Sequence, residues 1–218
     1  MTRKNSLATT LLLLPVFLLS IFGTGVWLES TRFDTPRLTV HLIEIGGRGQ
    51  TCSGVAISST EILTAAHCVS ALDTDKTTKI TVSGKEAKLL RQDKTNDIAL
   101  LQADIGCPCA PLAAESPGLD ARLIAVGWPL GKAEVVTEGR YQGLAEFYDR
   151  NMSFTTVPLS FGNSGGGLFQ WNWAMGRWEL VGVTVGIAGA DLGFIGVPVF
   201  HLTLSTPIET IRHWLYRQ

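Results

Sequence analysis

The sequence predicts an all-β protein that closes on a single helix. Three observations carry this expectation. Glycine is abundant, at 23 of 218 residues, while charged residues make up only 17%; short strands joined by many turns produce that profile, and long surface helices do not. Short apolar, strand-like runs recur along most of the chain. Clusters of Ser, Gly, Asp and Lys punctuate them, as in small antiparallel barrels or sandwiches.

The first segment stands apart. Arg3 and Lys4 precede an apolar run from Leu7 to Leu28 that only Thr, Ser, Gly and Pro15 interrupt. Such a run serves as a cleaved signal peptide or as a membrane anchor, which needs roughly 20 apolar residues. Gly23-Thr24-Gly25 offers small residues for cleavage. The continuation through Val26-Trp27-Leu28 is longer than a signal requires, and Trp27 suits a membrane interface, which favours an uncleaved anchor. Residues 1–30 are therefore read as a signal or signal-anchor segment, with membrane as a partner if it is retained. Both readings place the remainder outside the cytoplasm, because the positive flank stays inside.

Ser30 to Pro36 reads as a polar linker, and a folded domain is expected over 36–218. Its strand-like runs are Leu38 to Ile45, Val55 to Ser58, Ile62 to Ala65, Ile80 to Val82, Ala87 to Arg91 and Ile98 to Gln102. Residues 107–120 hold prolines and cysteines without periodicity and form the candidate connection. A second set follows: Leu123 to Val126, Glu134 to Tyr141, Met152 to Thr156, Gly167 to Trp171, Trp178 to Val185 and Gly196 to Leu202. Trp171, Trp173 and Trp178 bracket a hairpin tipped by Ala174-Met175-Gly176, where cross-strand aromatic packing is expected.

The closing helix is expected over 206–217. Thr206-Pro207-Ile208-Glu209 has the pattern of a capping box with proline at the first helical position. Ile208, Ile211 and Leu215 then share one face at helical spacing.

Charge excludes one class of partner. Lys and Arg number 18 against 19 Asp and Glu, and no basic block stands out, so nothing recommends nucleic acid. Cys52 and Cys68 flank a strand-turn-strand pattern. Cys107-Pro108-Cys109 is harder to place: a bridge across one residue is strained, and two ligands alone make no metal site.

The chemistry sits in three motifs in fixed order: Thr64-Ala65-Ala66-His67-Cys68, Asn96-Asp97-Ile98-Ala99-Leu100-Leu101 and Phe161-Gly162-Asn163-Ser164-Gly165-Gly166-Gly167. A serine hydroxyl needs a base to become a nucleophile. An imidazole titrating near neutrality can take its proton and return it to the leaving group. A carboxylate can orient that imidazole. The order His, Asp, Ser differs from those of the subtilisin and α/β-hydrolase triads. With these motifs the chain resembles the trypsin-like serine proteases of the chymotrypsin fold, and the Gly-Asn-Ser-Gly-Gly form resembles their bacterial Do-like branch. Ala125-Val126-Gly127-Trp128-Pro129-Leu130-Gly131 supports the same alignment.

The resemblance implies two six-stranded antiparallel β-barrels, about 36–106 and 121–204, with the active site between them. It implies His67 as base, Asp97 as its orienter and Ser164 as nucleophile, with the N–H groups of Gly162 and Ser164 as oxyanion hole. It also implies a Cys52–Cys68 disulfide, worth about 3 kcal/mol on the chain-entropy model. Asn163 stands where digestive relatives carry the aspartate that pairs with a newly cut N-terminus, so activation by such a cut is not expected. Pro158 falls at the base of the primary pocket, and Thr184, Val185 and Gly186 along its wall; a small or aliphatic residue is then expected before the cut. No PDZ module like that of the Do-like proteases is expected after the helix. Substrate is expected to be protein or peptide, with no metal and no organic cofactor. A non-catalytic binding module on the same fold, and an esterase using the same triad, are the alternatives.

Overall fold

The computed structural model describes residues 34–217, apart from 47, 48, 76, 107, 148 and 192–195. The N-terminal signal or anchor segment and Cys107 therefore lie outside the described residues. Among those described, no helix is long and apolar enough to cross a membrane.

A short helix α1 (Asp34–Thr39) leads into the first barrel, taking up Leu38, which the sequence places in a strand. That barrel comprises β1 (Val40–Ile45), β2 (Gln50–Ala56), β3 (Glu61–Thr64), β4 (Ile80–Val82), β5 (Lys85–Asp93) and β6 (Ile98–Gln102). It closes in the order β1-β2-β3-β6-β5-β4. Ile43, Ile45, Ile62, Val82 and Leu101 point into one buried cluster, as period-two alternation requires of a half-buried strand. A 3-10 turn (Ala66–Val69) and the one-turn helix α2 (Ala71–Thr74) follow β3.

The second barrel repeats the plan with β7 (Arg122–Gly127), β8 (Val135–Glu146), β9 (Asn151–Thr155), β10 (Gly167–Asn172), β11 (Arg177–Asp191) and β12 (Gly196–Pro207). Its order, β7-β8-β9-β12-β11-β10, matches the first barrel strand for strand, and both barrels are closed. Met152, Leu168, Phe169, Leu180 and Val183 are buried within the second barrel. Trp171 and Trp178 are cross-strand partners with ring centroids 5.5 Å apart, edge to face.

The closing helix α3 (Ile208–Tyr216) buries Ile208 and Ile211, but the capping box is not formed. The N-cap is Pro207. Thr206 instead donates its hydroxyl to the Asn96 carbonyl, and the Glu209 carboxylate takes the Ser116 N–H and hydroxyl. Distant partners have claimed both side chains that local capping would use.

Candidate active site

The loop that carries Ser164 is built on glycine. Gly162 has φ +93° and Gly165 φ +84°, a region that residues with a Cβ rarely enter. Space is as restrictive as conformation: a Cβ on Gly165 would lie 2.1 Å from the Ser53 carbonyl oxygen, and one on Gly162 2.6 Å from the Leu130 nitrogen.

The four carbonyls from Phe161 to Ser164 are each held by a donor. The Phe161 oxygen accepts the Leu130 N–H (2.7 Å) and the Gly162 oxygen accepts the Ser53 hydroxyl (2.8 Å). The Asn163 oxygen takes the Gly166 N–H (2.9 Å) and the Thr184 hydroxyl (2.6 Å), and the Ser164 oxygen takes the Ser53 N–H (2.8 Å). The Asn163 N–H donates to Ser160. Among the described residues no bond engages the N–H of Gly162 or Ser164. In a trans peptide N–H and C=O point in opposite directions. Tying down the Phe161 carbonyl therefore turns the Gly162 N–H the other way.

His67 lies on the 3-10 turn after β3, and Asp97 immediately before β6, its backbone in the left-handed region at φ +52°. One Asp97 oxygen accepts the His67 N–H at 2.9 Å, and the other lies 2.8 Å from His67 Nδ1. Asp97 is buried while the His67 ring is exposed to the cleft. Burial raises the Asp97 carboxyl pKa, but the two hydrogen bonds from His67, its charge and that of Arg150 together pull it below the ordinary value. A buried carboxylate that remains ionised can hold one imidazole tautomer and steady an imidazolium.

A cleft of about 940 Å³ contains both His67 and Ser164, along with Val185, Gly186, Leu159, Ser160, Leu130 and Phe161. Ser164 Oγ donates to the Val185 carbonyl at 3.0 Å rather than to His67. Catalytic hydrogen bonds in ligand-free enzymes are often long or misaligned and tighten on substrate binding. The Cys52–Cys68 disulfide forms the floor between β2 and the histidine turn, with S–S 2.01 Å. Cys52, His67 and Cys68 bring their side-chain atoms within 4.8 Å of one another, but both sulfurs are committed to the disulfide and cannot act as thiolate metal ligands. Cys109 is also disulfide-bonded.

A model of the trypsin-like peptidase domain matches residues 52–183, more than half of the chain. This protein belongs to the trypsin-like peptidase family. It is accordingly a serine-type peptidase. No curated protein matches it in sequence. Among solved structures, it is similar to the Rv3671c protease from M. tuberculosis in its active form, at 19% identity over 87% of this chain and 85% of that one, with a TM-score of 0.69. The inactive form of Rv3671c matches at 20% identity, 87% and 93% coverage and TM-score 0.67. Deg5 matches at 22% identity, 87% and 92% coverage and TM-score 0.67. At these identities the likeness concerns the fold.

Two residues of this trypsin-like peptidase lie away from their expected places. Pro158 is exposed and outside the cleft lining, its carbonyl accepting the Thr137 hydroxyl. Thr184 is buried and holds the loop of Ser164 through Asn163 and Gly166, while its neighbours Val185 and Gly186 line the cleft. Sequence reasoning misses Leu130 and Phe161, which line the cleft with exposed apolar side chains, and Ser53, buried behind the loop. The Gly-x-Pro-x-Gly string around Leu130 marks a turn; its contact with Phe161 has no local signature.

Proposed function

We propose that this chain is an endopeptidase that cuts extended polypeptides through Ser164, His67 and Asp97 by way of an acyl-enzyme. The observation that carries the reading is the doubly bonded His67–Asp97 pair facing the same cleft as a glycine-framed serine. Ser164 turns about its Cα–Cβ bond from the Val185 carbonyl toward His67 Nε2. As Oγ attacks the substrate carbonyl, its proton passes to Nε2 and the carbonyl oxygen becomes an oxyanion. The free N–H groups of Gly162 and Ser164 receive that charge, each donor contributing about 3–4 kcal/mol in comparable sites. His67 then gives its proton to the leaving amine, and water, activated by the same imidazole, releases the acyl group. Substrate pairs as an added strand along β11 beside Val185 and Gly186. Among the described residues the cleft lining carries no carboxylate, which supports a small or aliphatic residue before the scissile bond.

The Cys52–Cys68 bridge supports an oxidising, extracytoplasmic setting. The test is labelling with a fluorophosphonate followed by peptide mapping, with casein and a simple ester as parallel substrates. Modification at Ser164 and casein cleavage, both lost in Ser164→Ala, are expected. An unlabelled, inactive wild-type protein would favour a binding module; ester hydrolysis without casein cleavage would favour an esterase.

A further inference from the structure

We infer that Ser53 is a positioning residue for the oxyanion site, using one hydroxyl to fix the two peptide planes on either side of Gly162. The inference rests on the peptidase reading above and adds a residue to that site.

Ser53 lies on β2 in the first barrel and is 0% exposed. It therefore does not touch substrate. Its hydroxyl accepts the Trp128 N–H at 2.8 Å and donates to the Gly162 carbonyl at 2.8 Å. Its own N–H holds the Ser164 carbonyl, and its own carbonyl accepts the Thr64 hydroxyl at 2.8 Å. One small side chain of the first barrel thus joins the turn Pro129–Gly131 to the nucleophile loop of the second.

The need for such an anchor follows from glycine. At Gly162 the left-handed backbone carries no steric penalty, and neither do many alternatives. The residue therefore does not fix its own orientation. Rotation of the Phe161–Gly162 peptide would put a carbonyl oxygen where an oxyanion must sit and remove the N–H. Two bonds oppose this rotation: Leu130 N–H to Phe161 C=O, and Ser53 hydroxyl to Gly162 C=O. Ser53 supports both, because it also fixes Trp128 at the start of the turn that presents the Leu130 N–H. No other hydrogen-bonding side chain reaches the Gly162 carbonyl among the described residues.

The test compares wild type, Ser53→Ala and Ser53→Thr on a peptide amide. A matched peptide aldehyde, which forms a tetrahedral adduct, and the corresponding peptide alcohol, which does not, serve as inhibitors. Ser53→Ala is expected to lower kcat about 10- to 100-fold, somewhat less than deleting a donor outright, with KM nearly unchanged. Aldehyde affinity falls by the same factor and alcohol affinity does not. Ser53→Thr, which keeps the hydroxyl, restores most of kcat. Wild-type kcat in folded Ser53→Ala, or a loss shared equally by KM and alcohol binding, overturns the inference. Should Ser53→Ala fail to fold, Ser53→Gly is read by the same two inhibitors. A wild-type protein that is inactive and unlabelled overturns the peptidase reading as well; an active, labelled wild type with an unaffected Ser53 variant overturns this inference alone.

Discussion

His67 and Asp97 are joined twice through one carboxylate: Oδ1 accepts the backbone N–H of His67 and Oδ2 faces Nδ1 of its ring. The backbone bond sets the height of the histidine turn and the ring bond sets the tautomer, so neither adjusts alone. Asp97 adopts φ +52° to make both, a conformation that costs a non-glycine residue on the order of 1 kcal/mol or more. Asp97→Asn keeps the shape but can present an amide N–H to Nδ1, favouring the wrong tautomer. By the general behaviour of such triads, kcat is expected to fall by about 10⁴ with substrate affinity retained. Acylation rates measured in single turnovers check this; a fall below tenfold contradicts the role.

Acid stability follows from two groups with the same sign. Asp97 titrates below the ordinary carboxylate value, so the unfolded chain takes up its proton first. Its contribution is whole above the unfolded pKa and is lost as pH falls through the lowered folded one. His41 is also lowered, first by burial and then by Lys85, and its Nε2 is buried without a hydrogen-bond partner. Its contribution begins to fail at higher pH, as acidity passes the ordinary histidine value of about 6.5. Denaturant midpoints are expected to drop from about pH 7.5 to pH 5.5 in wild type and to drop less in His41→Gln. The steeper loss at lower pH is expected to flatten in Asp97→Asn. Equal slopes in wild type and variants would remove these assignments.

What the sequence makes legible is what local chemistry dictates. Ile80 to Val82 and Ile98 to Gln102 coincide with β4 and β6 because each apolar run is bounded by turn residues, Ser83-Gly84 and Asn96-Asp97. The loop around Ser164 is legible because its backbone favours glycine at two positions, Gly162 and Gly165. β11 continues through Gly186–Asp191, where alternation fails, so its length is not. Ser53 is illegible for a different reason. It reads as one small polar residue in a strand, and what makes it matter is a carbonyl 109 positions away. Thr206 and Glu209 mislead because their side chains serve Asn96 and Ser116 rather than their own helix.

Gly165 sits hard against β2 and β3 of the first barrel. With φ +84° and a would-be Cβ 2.1 Å from the Ser53 oxygen and 2.2 Å from Thr64 Oγ1, even alanine must push β2 and the loop of Ser164 apart. Backbone strain and overpacking together are expected to cost Gly165→Ala about 3 kcal/mol or more of stability. Equilibrium unfolding by urea measures it. A loss under about 0.5 kcal/mol, the range of an ordinary surface change, would mean that the loop has room the geometry denies.

Gly186 is the opposite case. It lines the cleft beside Val185, and nothing lies within 4 Å of the position a Cβ would occupy. A larger side chain there extends into the cleft rather than into the barrel, so Gly186→Val is expected to leave the melting temperature nearly unchanged. Its effect falls on substrate. Leu159, Ser160, Val185 and Ile187 line the same cleft and none carries a charge, so the wild-type enzyme is expected to prefer small or aliphatic residues before the cut. Valine at 186 removes space for the larger of these: kcat/KM for a leucine substrate is expected to fall about 10- to 100-fold, and that for an alanine substrate far less, in line with the cost of lost apolar pocket contacts. A peptide library cut by both enzymes reads the two effects together. Strong selection for Lys, Arg or Glu by the wild type, or an equal loss on both substrates in the variant, would place the primary pocket elsewhere.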